Sequence, residues 1–249
     1  MPKLQKRRLD QLLVERGLVE TRSRAQALIM SGLVYNNSKR LDKAGTQFPE
    51  NIELDLKGRD HPWVSRGGLK LEHALEYFQI DVKDLVCLDI GASTGGFSDV
   101  LLSKEASKVY AVDVGHGQLA WKIRNNEKVV VIERFNARYI TNKVVPDPIN
   151  FICCDTSFIG LRTVLPAPMK LAKAGARLVA LIKPQFEVGK GHVGKGGVVR
   201  DPELHRQVCN TIRDWLSGEM GWHVTGVEQS PIKGPKGNAE FLIFASREA

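Results

Sequence analysis

Four charged residues stand where the apolar pattern of the chain calls for buried side chains or strand ends: Lys70, Asp155, Lys183 and Glu240. Asp155 closes the run Cys153-Cys154-Asp155-Thr156-Ser157-Phe158, and Lys183 closes Leu181-Ile182-Lys183-Pro184-Gln185-Phe186. Lys70 falls in the first turn of a helix opened by Ser65-Arg66-Gly67-Gly68-Leu69, and Glu240 starts the strand after Gly237-Asn238-Ala239. Two ammonium groups and two carboxylates converging on one cleft can do acid–base work. One ammonium disfavours protonation of its neighbour, so Lys70 can lower the pKa of Lys183, while the carboxylates orient both. The same four can also form an ordinary surface salt-bridge network.

A second constellation lies between the first strand of this region and the helix after it: Asp89-Ile90-Gly91-Ala92-Ser93-Thr94-Gly95-Gly96-Phe97. The small residues Gly91, Ala92, Gly95 and Gly96 let backbone approach a ligand at the carboxyl end of a strand, where doubly wound sheets bind theirs. Ser93 stands where the dinucleotide fingerprint needs its second glycine, so pyrophosphate binding is not favoured. Asp113, 22 residues after Gly91, is spaced to accept hydrogen bonds from the ribose hydroxyls of an adenosine-type cofactor. NAD and S-adenosylmethionine both carry such a ribose. Asp89 has two readings, as partner of a cofactor ammonium or as cap of the following helix. The loop Gly189 to Gly196 nearly matches a phosphate-binding P-loop, but Gly196 offers no hydroxyl for magnesium. It reads as a basic glycine-rich lid over a substrate cleft or as a plain solvated loop.

The elements that must position these groups fall into two sets. Arg8 to Arg16 reads as a helix with Leu9, Leu12 and Leu13 on one face, stopped at Gly17. A second helix, capped by Thr21 or Ser23, runs to Gly32, and short strands fill 33–56. The polar stretch Lys57 to Pro62 reads as a boundary. Beyond it, apolar strands at Val86 to Ile90, Val109 to Val112, Val129 to Ile132, Ile149 to Cys154 and Leu178 to Ile182 alternate with helices. That alternation predicts an α/β fold, a doubly wound parallel sheet, with Val224 to Val227 and Phe241 to Phe244 as a hairpin at its edge. The expected division is residues 1–60, a linker over 61–68, and 69–249.

Of 249 residues, 43% are hydrophobic and 26% charged, an ordinary globular composition. The formal net charge is +8, and residues 1–40 hold nine Lys or Arg against three Asp or Glu. So concentrated a basic segment attracts polyanions, nucleic acid or an anionic membrane surface. No apolar run approaches the roughly 20 residues of a membrane span, and no secretory signal follows the basic N-terminus, so the cytoplasm is the expected location. Cys87, Cys153, Cys154 and Cys209 lack metal-ligand spacing and read as buried reduced thiols.

Together these residues resemble the TlyA group, also called haemolysins, in which an S4 RNA-binding domain precedes an FtsJ-type ribose 2′-O-methyltransferase. The resemblance spans essentially the whole chain. The Lys-Asp-Lys-Glu tetrad of FtsJ-type enzymes is matched by Lys70, Asp155, Lys183 and Glu240. The S4 pattern is matched in Arg8-Leu9-Asp10, Gly17-Leu18 and Ser23-Arg24-Ala25-Gln26, and departs from Val-Asn-Gly at Asn36-Asn37-Ser38. Trp63 to Gly67 looks like the family's interdomain segment, its aromatic ring either packed or stacked on a base. The resemblance implies a small N-terminal α+β S4 domain and a Rossmann-like methyltransferase sheet. It implies S-adenosyl-L-methionine as cofactor, no metal, and ribosomal RNA or ribosomal subunits as partner, with a cytidine 2′-hydroxyl as acceptor. The expected cofactor residues are Asp89, Gly91 to Phe97 (Gly91, Ala92, Ser93, Thr94, Gly95, Gly96, Phe97) and Asp113. The expected RNA contacts are Arg7, Arg8, Arg22, Arg24, Lys39 and Arg40. A ribose hydroxyl titrates far above neutrality, so its attack on a sulfonium methyl needs a base or an alkoxide-stabilising field, the role expected of Lys183. Rival functions are an NAD-dependent oxidoreductase, a non-catalytic S4 ribosome-assembly factor, and a membrane-lysing haemolysin.

Overall fold

The computed structural model describes residues 6–16, 18–19, 21–56, 61–234 and 236–248. Gly17, the expected stop of the first helix, and Lys57 to Asp60 of the expected boundary lie outside the described residues. The chain divides into two compact units, residues 1–62 and 63–249.

In the first unit β1 (Lys6–Arg8) leads into α1 (Leu9–Glu15) and α2 (Arg22–Met30). Then follow β2 (Val34–Asn36), β3 (Lys39–Arg40), β4 (Gln47–Pro49) and β5 (Asp55–Leu56). β1 pairs antiparallel with β4, and β2 pairs antiparallel with β3 and β5. The apolar spacing of the two helices makes the core: Leu9 and Leu13 from α1 meet Ala25 and Ile29 from α2, over Val34 and Leu41. Thr21 caps α2 by accepting the Arg24 N–H at 3.2 Å. The β2–β3 turn closes without the usual glycine because Asn37 takes φ +53, a conformation that asparagine tolerates better than most residues.

In the second unit α3 (Gly67–Tyr77) precedes β6 (Val86–Ile90), α4 (Gly96–Ser103), β7 (Lys108–Val112), α5 (Trp121–Arg124) and β8 (Val129–Ile132). After them come β9 (Ile149–Cys154), α6 (Leu161–Val164), α7 (Pro166–Met169), β10 (Ala172–Ile182), α8 (Pro184–Glu187), α9 (Pro202–Asp214), β11 (Trp222–Gln229) and β12 (Phe241–Arg247). They form one seven-stranded sheet in the order β11-β12-β10-β9-β6-β7-β8. Neighbours from β10 to β8 are parallel, whereas β12 runs antiparallel between β10 and β11. Alternate residues of the central strands feed two cores. Leu88, Ile152 and Leu178 pack with Ile212 and Leu216 on one face, and Cys87, Phe151 and Val179 with Leu71 and Leu101 on the other. Burying each large apolar side chain contributes about 1.5–3 kcal/mol, and this is why these strands are apolar throughout rather than alternating.

Two expectations shift. The linker placed over 61–68 belongs from Trp63 onward to the second unit. Trp63 is buried beside Leu71 and donates Nε1–H to Glu72 Oε2 at 3.0 Å, so of its two readings the fold uses packing. The strand expected at Leu178 begins six residues earlier, at Ala172, because its first half, small residues broken by Lys173 and Arg177, carries too little apolar bulk to register as a strand.

Candidate active site

Strand order reverses between β6 and β9, and at that point the carboxyl ends of both strands open a crevice. Gly91 leaves β6 at φ +83, and a Cβ there would come within 2.7 Å of the Asp155 carbonyl oxygen. Only glycine allows both the conformation and the close passage. Asp113, at the end of β7, accepts the Ser93 N–H at Oδ2 (2.8 Å) and the Gly115 N–H at Oδ1 (2.6 Å). One carboxylate thereby locks two loops at the rim of a cleft of about 440 Å³ lined by Gly91, Ser93, Asp113, Asn136, Asp155 and Phe158 among others.

The other expected loop residues also pack into the scaffold. Ala92, Gly95, Gly96 and Phe97 are buried, and the Thr94 carbonyl accepts the Ala120 N–H at 3.1 Å. A Cβ on Gly96 would strike Ser65 Oγ at 2.4 Å and the Gly68 nitrogen at 2.9 Å, so its absence lets α3 and α4 meet at their N-termini. Asp89 is fully enclosed and accepts hydrogen bonds from the Ser98 hydroxyl, at 2.7 Å, and from the Ser98 backbone N–H. These bonds tie Asp89 to the first turn of α4, and its Oδ1 has no hydrogen-bond partner among the described residues. Burial pushes its pKa up to about 7, against the Ser98 bonds and with Asp155 and Asp113 adding to the rise.

Lys70, Asp155, Lys183 and Glu240 come together. Three come from element ends on the same rim of the sheet: Asp155 follows β9, Lys183 follows β10, and Glu240 precedes β12. The antiparallel course of β12 brings its beginning to that rim, with Phe241 opposite Ile182. Lys70 reaches in from α3. Its Nζ lies 3.1 Å from Asp155 Oδ2 and 2.7 Å from Glu240 Oε2, while Lys183 Nζ lies 2.5 Å from Asp155 Oδ1. The chain of contacts therefore runs Glu240, Lys70, Asp155, Lys183. Lys70, Lys183 and Glu240 are 7%, 6% and 2% exposed, too enclosed for an ordinary surface network. Burial alone would push the Lys70 ammonium down, but Asp155 and Glu240 outweigh it and hold its pKa above the usual lysine value. Burial would likewise raise the Asp155 carboxyl, and Lys70 and Lys183 more than offset it, so Asp155 sits below the usual range.

Sequence reasoning assigned no role to the residues just beyond Asp155. Lys183 Nζ donates to Ser157 Oγ at 3.1 Å. Phe158 is 90% exposed and takes φ +67, an outlier for a bulky side chain. Its ring lies 5.3 Å from that of Phe186. Ser157 and Phe158 line the cleft beside Gly91 and Asp113 and also a second cavity of about 260 Å³, walled by Lys183, Phe186, Val193, Gly197 and Glu240. The signal in the sequence was an aromatic residue directly after a polar strand end, where burial is not available.

In the first unit the expected RNA contacts divide. Arg8 and Arg22 bond the buried Asp10, whose remaining bond comes from Gln26. Arg8 and its companions hold the Asp10 carboxyl far below the usual range despite burial. Arg7 pairs with Glu15 and Glu50. Arg24, Lys39 and Arg40 are exposed and form no ion pair among the described residues. All four cysteines are free and buried, and no cluster of metal-ligating side chains occurs among the described residues. No helix there is long and apolar enough to cross a membrane.

Comparison with known proteins agrees with this architecture. The family model for FtsJ-like methyltransferases matches residues 63–247, and that for the S4 domain matches residues 7–51. The 16S/23S rRNA (cytidine-2′-O)-methyltransferase TlyA of Mycobacterium tuberculosis is 47% identical over 95% of this chain and 88% of its own length. Hemolysin A of Brachyspira hyodysenteriae is 41% identical over 94% of this chain and 98% of its own. A solved structure from Streptococcus thermophilus, designated a hemolysin, covers 98% of this chain and 90% of its own at 44% identity, with a TM-score of 0.76. With a buried lysine–carboxylate network beside the switch point of the sheet and a family match over residues 63–247, the chain belongs to the FtsJ-like methyltransferases, with an S4 domain before that region in the sequence.

Proposed function

We propose that the second unit transfers a methyl group from S-adenosyl-L-methionine to a ribose 2′-hydroxyl of ribosomal RNA, with cytidine as the acceptor nucleoside, and that the S4 unit grips the RNA. The observation that carries this is the buried Lys70–Asp155–Lys183–Glu240 network lying where two cavities meet. The name of the Mycobacterium relative supports the acceptor.

The residues present fit the cofactor. Asp113 holds one N–H on each oxygen and keeps lone pairs for ribose hydroxyls. Gly91, lacking a side chain, lets its backbone pass against Asp155, so that both line the same cleft. When bound, the cofactor supplies an electrophilic sulfonium methyl. Lys183, facing the second cavity and held by Asp155 and Ser157, takes the proton of the 2′-hydroxyl or stabilises its developing negative charge. Lys70, kept protonated by two carboxylates, supplies a constant positive charge, and Glu240 balances it. The exposed face of Phe158 offers a stacking surface for the acceptor base between the two cavities. Arg24, Lys39 and Arg40 are free to meet phosphates, and Arg7, Arg8 and Arg22 shape the surface around them.

The test is Lys183→Ala, with 2′-O-methyl groups mapped on ribosomal RNA exposed to each protein. Wild type should add a cytidine 2′-O-methyl group, and the variant should lose about 10²- to 10⁴-fold in rate while still binding the cofactor. A variant that methylates at the wild-type rate would remove Lys183 from the chemistry. Absence of any new ribose methyl group with wild type would remove the acceptor.

A further inference from the structure

One buried amide ties the glycine-rich segment over 189–199 to the loop that delivers Glu240. Asn238, 3% exposed, accepts the Val199 N–H at Oδ1 (3.0 Å) and donates Nδ2–H to the Gly197 carbonyl (2.9 Å). Its own carbonyl accepts the Gly234 N–H at 3.0 Å. The Val199 carbonyl in turn receives His205 Nε2–H at 2.9 Å, and the His205 ring lies 5.5 Å from that of Phe241. Val199 is therefore gripped on its N–H by the residue two before Glu240 and on its carbonyl by a ring packed on the residue after it. A Cβ at Gly234 would come within 2.5 Å of Glu240 Oε1, so the turn braced by Asn238 also bounds the carboxylate. Gly197 and Val193, on the segment so anchored, wall the cavity that Lys183 faces.

We infer that Asn238, assisted by His205, is a positioning residue that sets this wall of the acceptor cavity against Glu240, and through Glu240 against Lys70. The inference rests on the reading of the four-residue network as the reacting centre. A buried side chain that spends both of its functions on one loop fixes that loop in a single arrangement. Misplacement of about 1 Å at a reacting centre costs about 10²-fold in rate.

The experiment compares Asn238→Ala, His205→Ala and His205→Gln with wild type in the full chain. It measures steady-state methylation of ribosomal subunits, cofactor affinity by titration calorimetry, and melting temperature. Asn238→Ala should lower kcat by about 10- to 100-fold and leave cofactor affinity within about twofold, because the cofactor cleft is walled by other residues. His205→Ala should move kcat the same way, and His205→Gln, whose Nε2–H can reach the same carbonyl, should restore it. An unchanged kcat in folded Asn238→Ala, or a parallel loss of kcat and cofactor affinity, overturns the inference. Should Asn238→Ala not fold, the histidine pair decides: wild-type kcat in His205→Ala overturns it. Lys183→Ala run alongside separates the two readings. Turnover surviving in that variant defeats the centre itself, whereas an inactive Lys183→Ala beside a fully active Asn238→Ala defeats only the positioning role of Asn238.

Discussion

Replacing Asp155 by Asn removes one negative charge from a network of two ammonium and two carboxylate groups. The consequences differ for its two lysines. Lys70 keeps Glu240 at 2.7 Å, whereas Lys183 is left with the Ser157 hydroxyl at 3.1 Å. Orphaning a buried charge costs about 3–5 kcal/mol. The Asp155 side chain retains 17% exposure, which sets the expectation at the lower end, about 3 kcal/mol. For a unit of this size that lowers the melting temperature by roughly 6–12 °C. The orphan is Lys183, so adding Lys183→Met restores neutrality and should recover most of the loss. Adding Lys70→Met instead strands Glu240 and should recover none of it. Thermal unfolding of wild type, the single variant and both doubles reads all of this, and none of the variants should methylate RNA. A single variant melting within about 1 °C of wild type would refute the charge accounting. So would equal rescue by the two methionine substitutions.

Two further outcomes are expected. Asp113→Ala frees the Ser93 and Gly115 N–H groups and removes the ribose acceptor, and charge-assisted bonds of this kind contribute about 1.5–3 kcal/mol each, so calorimetry should show cofactor binding weakened by at least about tenfold. Unchanged affinity would mean the cleft is not the cofactor's. For Asp89, the folded carboxyl keeps its proton up to about pH 7 while the unfolded one releases it near pH 4. The folded state thus holds more protons between those values, and stability falls as pH rises through that window, by at most about 4 kcal/mol, and levels off above it. Asp89→Asn should remove that slope, and parallel stability curves for variant and wild type across pH 4–8 would show that Asp89 does not titrate this way.

The strands of the second unit were legible because their residues are buried on both faces. Continuous runs such as Ile149 to Cys154 carry no amphipathic ambiguity there. Asp155 and Lys183 stood out in the sequence because each is a charge at the end of such a run, but spacing left a surface salt-bridge network open, and it was the resemblance to FtsJ-type enzymes that grouped them with Lys70 and Glu240. Partner choice was not legible. Arg8 and Arg22 read as free cations until Asp10 is seen fully enclosed beneath them, and the bond between Asp89 and Ser98 was equally hidden. The C-terminal hairpin at the sheet edge was legible, but not that its second strand is the one beside β10, since pairing order depends on contacts across distant segments. The same limit hid Asn238, whose partners lie about forty residues away.

The backward course of β12 bears on how the protein is made. Glu240 directly precedes β12, and among the described residues β11, which comes earlier in the chain, pairs with β12 alone. A nascent or truncated chain ending short of Glu240 therefore carries Lys70, Asp155 and Lys183 with one positive charge unbalanced. It also leaves the edge of β10 bare and β11 undocked. Docking of β12 closes the sheet and neutralises the network together, so strand pairing and charge balance at Lys70 depend on the same segment.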